Sequence, residues 1–176
     1  GVQYVACAGN FKDAGLEYTG ALKVLQMIFS YEYLWIQIRV KGGAYGCMCS
    51  FSDQGDSMFV TYRDPNLSES YKVYDEAADY VADFDADDRD MKKYIIGTIG
   101  SMDMPMEAVD MGARSFHAYF LGKTEADLQK VRDQVLSCTQ EDIRALAPIV
   151  KAVVEAGNRC CIGNEEKIDQ NKEYFD

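Results

Sequence analysis

Arg39 and Tyr45 are the two side chains in this sequence best suited to bond-breaking chemistry. The run Ile38-Arg39-Val40-Lys41-Gly42-Gly43-Ala44-Tyr45-Gly46 puts the arginine at the end of an apolar helix. The tyrosine follows across a glycine turn, at the start of a strand. A guanidinium and a phenol held on rigid elements can both donate hydrogen bonds toward one oxygen, which suits a carbonyl gaining negative charge. Nothing else in the sequence has that character, so the pair is expected to be one half of a site whose other half lies elsewhere. Spacing alone leaves a second reading open. An arginine at a helix C-terminus interacts well with the helix dipole, and a tyrosine in a strand is ordinary.

The remaining candidates carry less. His117, the sole histidine, follows Phe116 on a predicted helix that also bears Tyr119 and Phe120. One histidine cannot build H-x-x-E-H or H-E-x-x-H, so a partly buried packing role is expected for it. Asp83-x-Asp85-x-Asp87 imitates the opening of an EF-hand loop. Its sixth position, however, is Asp88 where glycine is needed, and its twelfth is Tyr94 where glutamate is needed. With Asp90, these residues read as a solvated turn entering a helix N-terminus. Gly42-Gly43-Ala44-Tyr45-Gly46 lacks G-K-[ST] and follows a helix instead of a strand, so phosphate binding is not expected there. Cys7, Cys47, Cys49, Cys138, Cys160 and Cys161 lack the C-x2-C spacing of zinc sites, and buried reduced thiols are expected.

The elements that must hold the pair follow from pattern. Val2 to Ala8 is strand-like and Asn10 to Tyr18 a loop. From Thr19 to about Arg39 apolar residues recur at helical spacing until Gly42 and Gly43 end the helix. Ala44 to Ser52 and Met58 to Tyr62 form a hairpin around Asp53-Gln54-Gly55-Asp56. Asn66 is expected to cap the next helix with Glu69 closing a capping box, and Leu67, Tyr71, Tyr74, Ala78 and Val81 line its apolar face. Further helices are expected over about Asp87 to Thr98 and Met106 to Phe120. Thr124 and Thr139 cap two more, each with an aspartate three residues on, and Pro148 kinks or divides the last. Arg159 to Ile162 closes as a strand, ahead of a polar tail. The order β-α-β-β, several helices, then β predicts an α+β two-layer domain with a mostly antiparallel sheet covered by helices.

At 176 residues, 48% hydrophobic and 12% aromatic, the chain has room for one well-packed domain. A formal charge of -11 disfavours nucleic acid and anionic membranes as partners, since both need a basic face. No stretch approaches the roughly 20 apolar residues of a membrane span. The strand-like segment follows Gly1 at once, which reads as one domain, 1–176, cut from a longer protein. The thiols favour an intracellular, cytoplasmic location.

Tyr33-Leu34-Trp35 followed by the Ile38–Gly46 run resembles the last domain of the presequence-protease branch of the pitrilysin-like metallopeptidases. Tyr62-Arg63-Asp64-Pro65-Asn66-Leu67 is similar to that branch's next motif. Ile96-Gly97-Thr98-Ile99-Gly100 with Asp103 and Pro105 is similar to a third, and the likeness covers nearly the whole chain. The resemblance implies four similar α+β domains arranged as two halves around a closed chamber. A zinc site, H-x-x-E-H, sits in the first domain and none in the last. It also implies that the last domain supplies an arginine and a tyrosine to the scissile carbonyl and oxyanion, which map onto Arg39 and Tyr45. The expected partners are the N-terminal half of the same peptidase and unfolded peptide substrates, and the isolated domain is expected to be inactive. The competing reading is a catalytically inactive structural or peptide-binding homologue.

Overall fold

In the structure, a computed structural model that describes residues 1–175, β1 (Tyr4–Asn10) buries Val5 and Cys7 on one face and turns Tyr4 outward on the other. β2 (Gly46–Phe51) and β3 (Asp56–Tyr62) form the expected hairpin, with Cys49 paired to Phe59 across it. β4 (Asn158–Ile162) closes the sheet, which runs β2-β3-β1-β4 with every pairing antiparallel. One sheet face carries Val5, Cys7, Cys49, Phe51, Phe59 and Thr61 into the core. The opposite face leaves Tyr4, Met48, Met58, Tyr62 and Ile162 exposed. The two-layer α+β architecture is thus observed, with helices packed over the buried face of the sheet.

The helix after β1 winds in two manners. α1 (Ala21–Ile28) is regular, and then Phe29–Tyr33 and Trp35–Lys41 are π-wound. Leu34 N–H donates to the Phe29 carbonyl, and Gly42 N–H to that of Gln37. The sequence supplies a reason. Ile28, Tyr33 and Ile38 are buried, as are Phe29 and Leu34. An ideal α-helix would rotate residues five apart by about 140°, off a common face. The wider winding keeps all five inward. Phe29 then packs edge-on to Phe59 and stacks on Phe51.

α2 (Ser68–Asp75) and α3 (Ala77–Ala82) lie under the sheet, where Tyr74 Oη donates to the Val5 carbonyl at 3.2 Å. α4 (Asp88–Met102) starts on Asp87, whose carboxylate accepts from the Arg89 and Asp90 amides, as the acidic turn predicted. It runs past Thr98, since Gly97 and Gly100 do not end it. α5 (Ala108–Phe120) follows. Capping boxes at Thr124 and Thr139, with Asp127 and Asp142, open α6 (Glu125–Leu136) and α7 (Gln140–Arg144) as predicted. Pro148 divides the last predicted helix: it sits in the first turn of α8 (Ala147–Glu155), where a missing N–H matters least.

Four expectations need correction. Asn66 does not cap α2; Leu67 holds that position. The Asn66 side chain instead donates to the Gly42 carbonyl at 2.6 Å, because Asp64 already takes the Asn66 N–H and fixes the chain there. His117 stands exposed on α5, where nothing packs over it, and is not a packing histidine. Cys160 is exposed as well, because on edge strand β4 its neighbour Cys161 takes the inward position. The polar tail forms α9 (Glu165–Asp169), after which Tyr174 stacks on Tyr71 at 5.1 Å between ring centroids.

Candidate functional site

Arg39 and Tyr45 meet at one end of the sheet because the turn between them admits little freedom. A Cβ on Gly42 would lie 2.5 Å from the Ile38 carbonyl oxygen, and Gly43 sits at φ 79°. Gly43 N–H donates to the Arg39 carbonyl and Ala44 N–H to that of Ile38, so the last helical carbonyls are satisfied as the chain reverses. Buried Ile38 and Ala44 anchor the two arms. Tyr45 N–H then reaches across to the Arg63 carbonyl at 3.3 Å, and Asn66 ties the Gly42 carbonyl to the start of α2.

On this frame the side chains form a row. The Arg39 guanidinium lies 4.2 Å from the Trp35 ring centroid and 5.8 Å from that of Tyr45. Arg63 lies 6.0 Å from the Tyr45 ring and 5.5 Å from that of Tyr62. Tyr4 meets Tyr62 edge-on at 5.5 Å. Trp35, Arg39, Tyr45 and Arg63 are all exposed. A guanidinium stacked on a ring keeps its in-plane N–H donors free, so the row presents donors to whatever lies above it. Neither Arg39 nor Arg63 makes an ion pair or a side-chain hydrogen bond among the described residues. Arg132, Arg144 and Arg159, by contrast, each hold a carboxylate. Cys47, half-buried on β2, is no nucleophile beside them. Burial pushes its thiol up to about 11, against the opposing pull of Arg39.

The arrangement can bind and polarise a carbonyl or hold an anion. The predicted pair is brought together, and His117 lies apart from it on α5. Sequence reasoning missed Arg63 and Tyr62 as members of the row. Their position just before Asp64-Pro65, a break next to a strand end, was the available signal.

A family model described as the PreP C-terminal domain matches residues 1–164. Protein HypA of Clostridium perfringens is 43% identical over 174 residues, which cover 99% of this chain and 18% of that protein. Presequence protease 1, chloroplastic/mitochondrial, of Arabidopsis thaliana is 34% identical over 169 residues, 96% of this chain and 16% of that one. The chain therefore spans less than a fifth of these curated relatives. Among solved structures, a Bordetella pertussis protein described as a candidate zinc protease superposes with a TM-score of 0.66 at 15% identity, covering 92% of each chain. A Bordetella parapertussis structure, described as the inactive peptidase domain of a candidate zinc protease, gives 0.65 at 13% identity, covering 92% of this chain and 89% of that one. At such identities these two speak for the fold.

Proposed function

Because the chain belongs to the PreP C-terminal domain family, we propose that it is the last domain of a longer, four-domain zinc-dependent oligopeptidase. In that parent, Arg39 and Tyr45 hold the scissile carbonyl of a peptide and stabilise the oxyanion formed from it. The observation that carries this reading is the pair itself: an unpaired guanidinium and an exposed phenol, on a turn fixed by backbone hydrogen bonds. As the carbonyl carbon becomes tetrahedral, its oxygen takes up negative charge. Donors already aimed at that oxygen gain strength with the charge, and more so when closure excludes water.

Zinc belongs to the other half of that enzyme. Here the lone histidine is exposed, and among the described residues no three His, Cys, Asp or Glu side chains gather to hold a metal. The residues present do not fit the ion, and this chain's part is confined to binding and polarising the carbonyl. The partners are the N-terminal half of the parent and unfolded peptides enclosed between the halves, in an intracellular compartment. Helix α5 offers the contact surface. None of its residues is buried, and Val109, Phe116 and Phe120 recur at helical spacing along one stripe.

The test uses the full-length parent. Arg39→Ala and Tyr45→Phe should each lower turnover about 100- to 1,000-fold, equivalent to roughly 3–4 kcal/mol, while the unfolding temperature holds. Unchanged turnover in both variants would assign the pair to structure. The second reading, a non-catalytic homologue, gains from the Bordetella parapertussis neighbour described as inactive. A wild-type parent that binds peptides without cleaving them would establish it.

A further inference from the structure

Among the described residues, Arg63 is the sole non-glycine residue at positive φ, 48°. Left-handed backbone is unfavourable for a residue with a Cβ and persists only where its surroundings over-determine it. They do so here. Gln3 and Asp64 exchange backbone hydrogen bonds of 2.7 and 2.8 Å, immediately after Arg63. The Asp64 carboxylate, fully buried, accepts from the Asn66 N–H at 2.9 Å and from Ser70 Oγ at 2.6 Å. The Arg63 carbonyl accepts from Tyr45 N–H. A glycine would satisfy this backbone without strain, so the conformation itself does not call for a large side chain.

The side chain has its own surroundings. The Arg63 guanidinium rests on the rings of Tyr62 and Tyr45, and Arg39 approaches the same Tyr45 ring. Two cations thus share one phenol, both exposed and neither paired, in a chain with 29 acidic residues against 18 lysines and arginines. An anion arriving beside either guanidinium gains charge-assisted hydrogen bonds that none of the described residues now supplies. One guanidinium is committed to the carbonyl in the reading above. The second presents a planar fork that matches a carboxylate in two parallel hydrogen bonds.

We propose that Arg63 is a specificity-determining residue that binds a carboxylate of the same peptide whose carbonyl lies at Arg39 and Tyr45. This rests on the peptide-binding reading above. The carboxylate comes from an acidic side chain near the scissile bond or from the peptide's own C-terminus; the chemistry recognised is the same.

The experiment measures the initial anisotropy of fluorescent peptides on the full-length parent, read before cleavage, so that it does not depend on turnover. One peptide carries a glutamate and a free C-terminus, a second replaces that glutamate by glutamine, a third is C-terminally amidated, and a fourth carries both changes. Wild-type parent should bind the first more tightly than the fourth. Arg63→Gly, which suits the positive φ, should weaken binding of the first about 10- to 100-fold and leave the fourth unchanged. Arg63→Lys should recover only part of the loss. Whichever single change abolishes the Arg63 dependence identifies the source of the carboxylate. Equal weakening of all four peptides, or none, would overturn the proposal; if Arg39→Ala still weakens binding, the peptide-binding reading survives it. A wild-type parent that binds no peptide would overturn both.

Discussion

The glycine-turn end of the sheet and helix α5 both show aromatic side chains to solvent, yet they are built in opposite ways. At the turn, Tyr45 is 64% exposed while its neighbour Ala44 is buried and its own N–H is bonded across to Arg63. In α5, Phe116 and Phe120 are 66% and 68% exposed and lean on each other at 4.5 Å, with no buried residue anywhere along the helix. The first is an exposed group on a fixed frame, able to hold a geometry for a reacting atom. The second is an apolar stripe on a helix that puts no residue into the core. Exposure is shared; what differs is whether the element beneath packs into the core.

The comparison breaks if truncating a ring in each of the two regions has equal effects. Phe29→Ala removes a ring that packs on Phe51, Phe59 and Tyr80 under the turn end and should destabilise the chain by about 3–5 kcal/mol. Phe120→Ala should change stability by no more than about 0.5 kcal/mol. Denaturant titration of both variants decides it.

Alkali should attack the packed region first. Burial raises the Cys47 thiol to about 11, the Cys138 thiol to about 12 and the Tyr80 phenol to about 12. An unfolded thiol ionises near 9. Above that pH the unfolded chain has shed protons that the folded chain keeps, so stability is complete below pH 9 and is lost as pH rises through 11 to 12. A melting temperature flat from pH 9 to 12 would contradict this.

Glycine substitutions sharpen the contrast further. Gly42→Ala forces a Cβ against the Ile38 carbonyl and should destabilise by about 1–3 kcal/mol while displacing Arg39 from Tyr45. Gly112→Ala, on α5 with nothing within 4 Å of the new Cβ, should stabilise by about 0.5–1 kcal/mol. The same sign in both would mean that α5 is not the free helix described. Smallest in stability, Phe116→Ser with Phe120→Ser should leave the unfolding midpoint nearly unchanged yet reduce apolar-dye binding by this chain. Unaltered dye binding would move the exposed patch to the open sheet face.

Much was legible where the signal was local. Thr124 and Thr139 cap their helices because the partner aspartate is three residues away, within reach before any tertiary contact forms. Gly42 and Gly43 ended the helix for the same reason. Asn66 was misjudged because its amide had a stronger use 24 residues back, at the Gly42 carbonyl. His117 was misjudged because helical spacing shows an apolar stripe without showing whether anything lies against it.

The sequence by itself determined the α+β order, the hairpin and the nearness of Arg39 to Tyr45, since each depends on a few residues and one turn. Only the tertiary structure decided the π winding, the open face of the sheet, and the placing of Arg63 beside Tyr45. The last of these depends on the residues just before β1 and just after β3 meeting helix α2 at Gln3, Asp64 and Ser70. The left-handed arginine is held partly by bonds to Gln3 and Tyr45, far from it in the chain, and the Asp64-Pro65 break is the only local trace of that site.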